Sequence, residues 1–409
     1  MDRNERANDT THEGTARGGR GPVWVLLGLL PLLGLGVLLA LMVLNGVGGV
    51  QREDVPPVED LTVGRVALPT ENEILIHVTN GGPDPVTIRQ VTVNEALWDF
   101  EMEPEATIPS LGSARITIPY TWVEGEAYGI GMISNTGVTF EAEVPLAVLT
   151  PGFSGDTFWR YALIGFYVGI VPVSLGLLWY PFLRRLGASG MNFVLALTVG
   201  LLIFLVLDTL LDAVEIAGQL PGVFSGVPMV LLVAFLTLLG LLASERLFRR
   251  GREEASRLST SYRIATGIGL HNLGEGLAIG AAFALGEVAL GAFLVIGFTL
   301  HNITEGVGIA APILGERRPD LSHFAALALI GGGPAILGTW IAGFAYSPLL
   351  SAVFLAVGAG AIMQVIYEVG RMLLRDSLRR KVPALSAPNL GGLTAGIAVM
   401  YATALLVGV

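Results

Sequence analysis

A polytopic α-helical membrane protein carrying an inserted all-β sandwich domain is the fold class this sequence predicts. Three observations lead there. Of 409 residues, 52% are hydrophobic and only 14% are charged, and the mean hydropathy is positive; soluble globular domains carry nearer a quarter charged residues. One apolar run near the N-terminus and eight more after residue 150 are each long enough to cross a bilayer core of about 30 Å. Between the first run and the others, the pattern changes to short alternating segments.

Residues 1–21 are polar, rich in Gly, Thr and Arg, with no apolar period, and read as a disordered tail. Residues 22–45 carry no charge and read as a transmembrane anchor. A cleaved signal peptide is the alternative, but the run exceeds an ordinary apolar signal core and no clear A-x-A site follows it. Residues 46–60 read as a linker. From 61 to 149, alternating stretches such as Ile74–Val78 and Ala114–Ile118 are separated by turn signals such as Asn80-Gly81-Gly82-Pro83. About ninety residues of this kind predict a small β-sandwich, cupredoxin-like or immunoglobulin-like. His77 is its single histidine and reads as a strand residue. The net charge of −10 is concentrated here: residues 51–150 hold sixteen Asp/Glu against four Arg. Such acidity serves solubility more often than specific binding.

The eight later spans read near 158–182, 191–217, 224–245, 262–284, 288–313, 322–345, 348–370 and 387–408. With the tail in the cytoplasm and strict alternation from there, nineteen of the twenty-four Lys/Arg fall on the cytoplasmic side. That asymmetry obeys the positive-inside rule. It predicts a multi-pass protein of the cell (plasma) membrane, with the β-domain and C-terminus extracellular. The chain has no cysteine, which excludes disulfides, thiolate metal sites and type 1 copper.

The most informative stretch is a duplicated motif. His271-Asn272-Leu273-Gly274-Glu275-Gly276 is followed thirty residues later by His301-Asn302-Ile303-Thr304-Glu305-Gly306. On a helix, i and i+4 share a face, so His271 stands one turn from Glu275 and His301 one turn from Glu305. Asn272 and Asn302 flank the same faces. Ionisable groups inside apolar spans are costly and point to function. A single copy is compatible with a buried polar residue satisfied by its neighbours. Two copies at one spacing and depth point to a shared cation site, mononuclear or binuclear. Nitrogen and oxygen donors without sulfur suit Zn²⁺, Fe²⁺, Mn²⁺, Co²⁺ or Cd²⁺ and disfavour Cu⁺.

In the paired H-N-x-x-E-G motif, residues 150–409 resemble the ZIP family of divalent-metal transporters, whose fourth and fifth transmembrane helices carry it. Two departures stand out: Gly274 and Thr304 occupy positions where family members often have proline, and the loop before the motif lacks histidine. The resemblance implies an eight-helix unit with symmetry-related helix groups, assembly as a homodimer, and uptake of divalent metal, zinc foremost, toward the cytoplasm. The metal is then cargo, and no cofactor, enzymatic activity or nucleic-acid partner is expected. It carries a metal role to His271, Asn272, Glu275, His301, Asn302 and Glu305.

Other charges sit inside the spans. Asp208 and Asp212 are i and i+4 near the outer end of the second span, a candidate entrance for cations, with Glu215 beside them at an exposed helix end. Glu368 lies toward the cytoplasmic end of the seventh span, where it could line an exit or pair with Arg371. His323 borders a cytoplasmic loop and reads as solvated. Two other functions stay open: an intramembrane metalloenzyme, although H-E-x-x-H is absent, and a metal-sensing receptor, although the cytoplasmic tail is short.

Overall fold

The structure is a computed structural model that describes residues 22–45, 57–224, 226–248, 257–315 and 318–407. The stretches read as tail and linker fall almost wholly outside these residues. The chain divides into two compact units, Met1–Pro57 and Val58–Val409. In the first, α1 (Pro22–Asn45) has 24 residues and no charge, a length of about 36 Å. Its side chains from Leu30 to Leu41 are exposed.

The second unit begins with nine strands: β1 (Leu61–Thr70), β2 (Glu73–Asn80), β3 (Val86–Val93), β4 (Ala96–Trp98), β5 (Glu101–Glu103), β6 (Thr107–Ile108), β7 (Ser113–Ile118), β8 (Tyr128–Ser134) and β9 (Thr139–Val144). They form two antiparallel sheets, ordered β1-β2-β7-β5 and β4-β3-β8-β9, with β6 on β3. The period of two explains the sandwich. Along β2, Ile74, Ile76 and Val78 are buried while Leu75, His77 and Thr79 are half-buried. Ile116, Ile118, Ile130 and Met132 complete the same apolar layer. Asn80 organises the first long turn. Its amide nitrogen donates to the carbonyls of Asp84 and Ile108 at 2.8 and 2.9 Å, and its Oδ1 accepts from Gly82 N–H.

The helices follow. A continuous helical stretch from Gly155 to Leu183 contains α2 (Gly155–Gly165), a π-helical turn (Phe166–Ile170), α3 (Val171–Leu178) and α4 (Tyr180–Leu183). Ser154 caps it, accepting from Thr157 N–H at 3.1 Å. Then come α5 (Ala188–Gly218), α6 (Gly226–Phe248), α7 (Arg257–Ala284), α8 (Val288–Ala310), α9 (Leu321–Gly332), α10 (Pro334–Ala345), α11 (Pro348–Arg380) and α12 (Ala387–Val407). The two central elements α9 and α10 are one span broken at Gly333-Pro334, where proline lacks the N–H a continuous ladder needs.

Six helical stretches among the described residues are long and apolar enough to cross a membrane: Gly155–Leu183, Ala188–Gly218, Gly222–Ser244, Val288–Leu314, Leu321–Ala345 and Pro348–Arg380. The remaining two predicted stretches are also helical, as α7 and α12, and α7 is the less apolar of the two. For α7 the reason is its setting. It packs against α8, α9, α10 and α11, so most of its surface is buried and it can hold polar groups.

The β-domain is fastened to the helices. Leu68 N–H donates to Thr150 Oγ1 at 2.8 Å and Thr150 N–H returns to the Leu68 carbonyl at 2.9 Å, so the chain leaving the last strand is tied to β1. Gly81 approaches Pro221 and Gly286 approaches Val148, each closely enough that a Cβ would collide.

Candidate metal centre

The motif residues lie near the middle of α7 and α8. Each motif ends in glycine, and both glycines face a neighbouring backbone. A Cβ on Gly276 would overlap Ala335 of α10, and one on Gly306 would overlap Val173 of α3. Their partners across the crossing are also glycines, Gly338 and Gly176. Small residues let apolar helices approach closely, which seats α7 on α10 and α8 on α3.

At this crossing three side chains converge. His271 Nε2 lies 3.0 Å from Glu275 Oε1, and His301 Nε2 contacts the same oxygen. Donor atoms of His271, Glu275 and His301 all lie within 4.8 Å of one another, a grouping that could hold a metal ion. The three side chains are buried at 2%, 3% and 6% exposure. Two imidazole nitrogens meeting one carboxylate oxygen form a compact N₂O donor set. A cation there replaces the two protons those nitrogens would otherwise need.

The asparagines are fixed by broken helices. Asn302 Nδ2 donates to the Val168 carbonyl in the π-helical turn at 2.9 Å and to Glu275 Oε2 at 2.9 Å. Val168 precedes Pro172 by four residues, and proline cannot supply the α-helical donor to that carbonyl. Asn272 Nδ2 likewise donates to the Gly331 carbonyl at 2.9 Å, beside the break at Gly333-Pro334. A carbonyl can only accept, so each amide must turn its nitrogen there. Both Oδ1 atoms are then buried with no hydrogen-bond partner among the described residues, and each can serve as an oxygen donor. Sequence reasoning found the asparagines but not their backbone partners. Pro172 and Pro334 were the available signal.

Glu305 completes the second motif one turn beyond His301. It is 5% exposed, and neither carboxylate oxygen has a hydrogen-bond partner among the described residues. A buried carboxylate in that position is unfavourable unless it carries a proton or meets a cation. It stands outside the three-residue grouping, so the six motif residues divide into a tight core of His271, Glu275 and His301 and three adjoining oxygen donors.

Asp208 and Asp212 sit on α5 with exposed side chains. Asp208 is close enough to His301, His271 and Glu275 for electrostatic interaction, and Asp212 is in range of Asp208 and His271. Glu215 is exposed next to them. At the other end, Glu368 on α11 is buried, and Arg263 Nη2 of α7 lies 3.2 Å from its Oε2. Arg263 is two turns before His271 on the same helix, a partner the sequence reading did not assign. Arg371 lies over the Tyr367 ring, 5.2 Å from its centroid. His323, read as solvated, is instead partly buried, with Nδ1 2.8 Å from the Tyr262 hydroxyl.

Neither protein-family models nor curated proteins match this chain.

Proposed function

We propose that this protein is a ZIP-like transporter that carries divalent transition-metal ions, zinc foremost, across the cell membrane into the cytoplasm. The observation that carries the reading is the buried convergence of His271, Glu275 and His301 inside a helical bundle, with orphaned oxygens on Asn272, Asn302 and Glu305 around it. Donors of this type suit borderline divalent metals. A transported ion must also leave, and the split between a tight core and neighbouring donors supplies exchangeable ligands. Exposed Asp208 and Asp212 fit a cation entrance, and the Arg263–Glu368 pair fits an exit that must open.

In this reading α2–α4, α5, α6, α7, α8, α9–α10, α11 and α12 make an eight-helix core, and α1 is an anchor. The Lys/Arg asymmetry supports an N-terminus in the cytoplasm and a β-domain outside. A homodimer is the proposed assembly. Reconstitution into proteoliposomes with a competition series of Zn²⁺, Fe²⁺, Mn²⁺, Co²⁺ and Cd²⁺ tests it. Saturable uptake lost in Glu275→Ala is expected, and equal uptake by empty vesicles would refute transport. Tight binding with product formation but no uptake would favour the metalloenzyme.

A further inference from the structure

A second site stands away from the metal centre, at the junction of the β-domain with the helices. Arg65 on β1 is in register with His77 on β2, His77 with Arg115 on β7, and Arg115 with Glu103 on β5. The four side chains make one row across the sheet, on the face opposite the sandwich core. Neighbouring strands are about 4.8 Å apart, so the two arginines flank the histidine closely. Like charges gathered on one sheet face are unfavourable without a counter-charge. Arg65, Arg89 and Arg115 are the basic residues between Leu61 and Val144, against an acidic background, and two of the three share this row.

The row floors a cavity of about 880 Å³. Its opposite wall is the turn joining α10 to α11, with Tyr346, Ser347 and Pro348. Ser347 caps α11, its Oγ accepting from Leu350 N–H at 3.4 Å, so the positive end of a 33-residue helix borders the same space. Arg65 Nε and His77 Nδ1 are buried, with no hydrogen-bond partner among the described residues. Among the described residues the counter-charge in this row is Glu103, 3.6 Å from Arg115 and 75% exposed on its side chain; none of them forms an ion pair with Arg65, whose electrostatic neighbour is Tyr161. Burial first, then Arg115 and Arg65, push the His77 imidazole below its ordinary pKa.

We propose that this cleft binds a phosphate group between Arg65, His77 and Arg115. Planar guanidinium forks match phosphate oxygens, and Arg65, His77 and Arg115 all line the cleft. The cavity exceeds a bare phosphate in size and is walled by the end of two candidate membrane spans, so the group is either free phosphate or the headgroup of a lipid. The inference does not rest on metal transport.

The test uses the full-length, delipidated protein in detergent. Equilibrium dialysis with labelled inorganic phosphate, and retention of phosphatidylglycerol from nanodiscs read by mass spectrometry, separate the two sources. One lost charge-assisted contact corresponds to about a tenfold loss or more, so Arg65→Gln and Arg115→Gln should each weaken binding by that factor. Glu103→Gln should strengthen it, and Arg89→Gln on β3 should leave it unchanged. Phosphate binding alone assigns a free anion, and lipid retention alone assigns a headgroup. Should the arginine variants not fold, His77 in the wild type remains a reporter. Its pKa, followed by ¹⁵N NMR, should rise on ligand addition because an anion favours imidazolium. Absence of both ligands, binding indifferent to the arginines, or an unmoved His77 would overturn the proposal.

Discussion

Glu275 is the residue on which the candidate centre turns, because both imidazoles and Asn302 meet its carboxylate. Glu275→Ala should therefore lower metal affinity and uptake more than any asparagine change. Asn272→Ala and Asn302→Ala act at the edge of the donor set and should cost roughly 10–100-fold in affinity, measured by metal titration of the purified protein. His77 gives a prediction of another kind. Its folded pKa lies below the unfolded value, so the unfolded chain binds more protons as pH falls through the histidine range. Stability is then greatest above that range and declines as pH drops from about 7 toward 5.5. Melting curves of wild type should shift down over that interval by more than those of His77→Gln; parallel shifts would remove His77 from the account. Sequence spacing carried part of the centre: H-x-x-x-E on a helix puts His271 one turn from Glu275, and there the two meet, whereas the same spacing brings His301 no such contact with Glu305. It could not carry the contact of His301 with Glu275 or the ion pair of Arg263 with Glu368, since both depend on how separate helices cross.

Helices α7 and α8 repeat more than a motif. Each lays its motif glycine on the backbone of a broken helix, and each sends its asparagine to a carbonyl at that break. The irregular backbone faces the polar centre, where its freed carbonyls find side-chain donors. Gly276→Ala and Gly306→Ala should each destabilise the protein by about 1–3 kcal/mol, the usual cost of overpacking. Gly240 on α6 has open space around it, so Gly240→Ala should be neutral or stabilising by up to about 1 kcal/mol through helix propensity. Thermal unfolding in detergent distinguishes them, and equal effects at all three sites would deny the close crossing. At this scale the sequence was readable where periodicity was strong, as in β2 and the apolar α5 and α11. The span read at 262–284 is α7, which begins five residues earlier at Arg257, and its buried surface lets it hold polar groups within an otherwise apolar helix.

The two parts of the Val58–Val409 unit carry different chemistry, and that separates their roles. Every candidate metal ligand lies after residue 150, within the helices, while the β-domain contributes twelve acids in 61–149 and touches the helices at their loops. A domain so placed can concentrate cations near the entrance without coordinating them. Removing 1–150 should leave a protein that still takes up metal, more slowly at low ionic strength. Attraction of this kind decays over a Debye length of about 10 Å at 0.1 M salt. Uptake rates of full-length and truncated protein, followed from about 10 mM to 500 mM salt in proteoliposomes, should therefore converge. The Leu68–Thr150 bonds tie β1 only to the chain entering α2, and their loss leaves the capping of α2 by Ser154 intact. A truncated protein that folds and binds metal yet transports none at any salt would make the β-domain part of the conformational cycle rather than a cation-gathering surface.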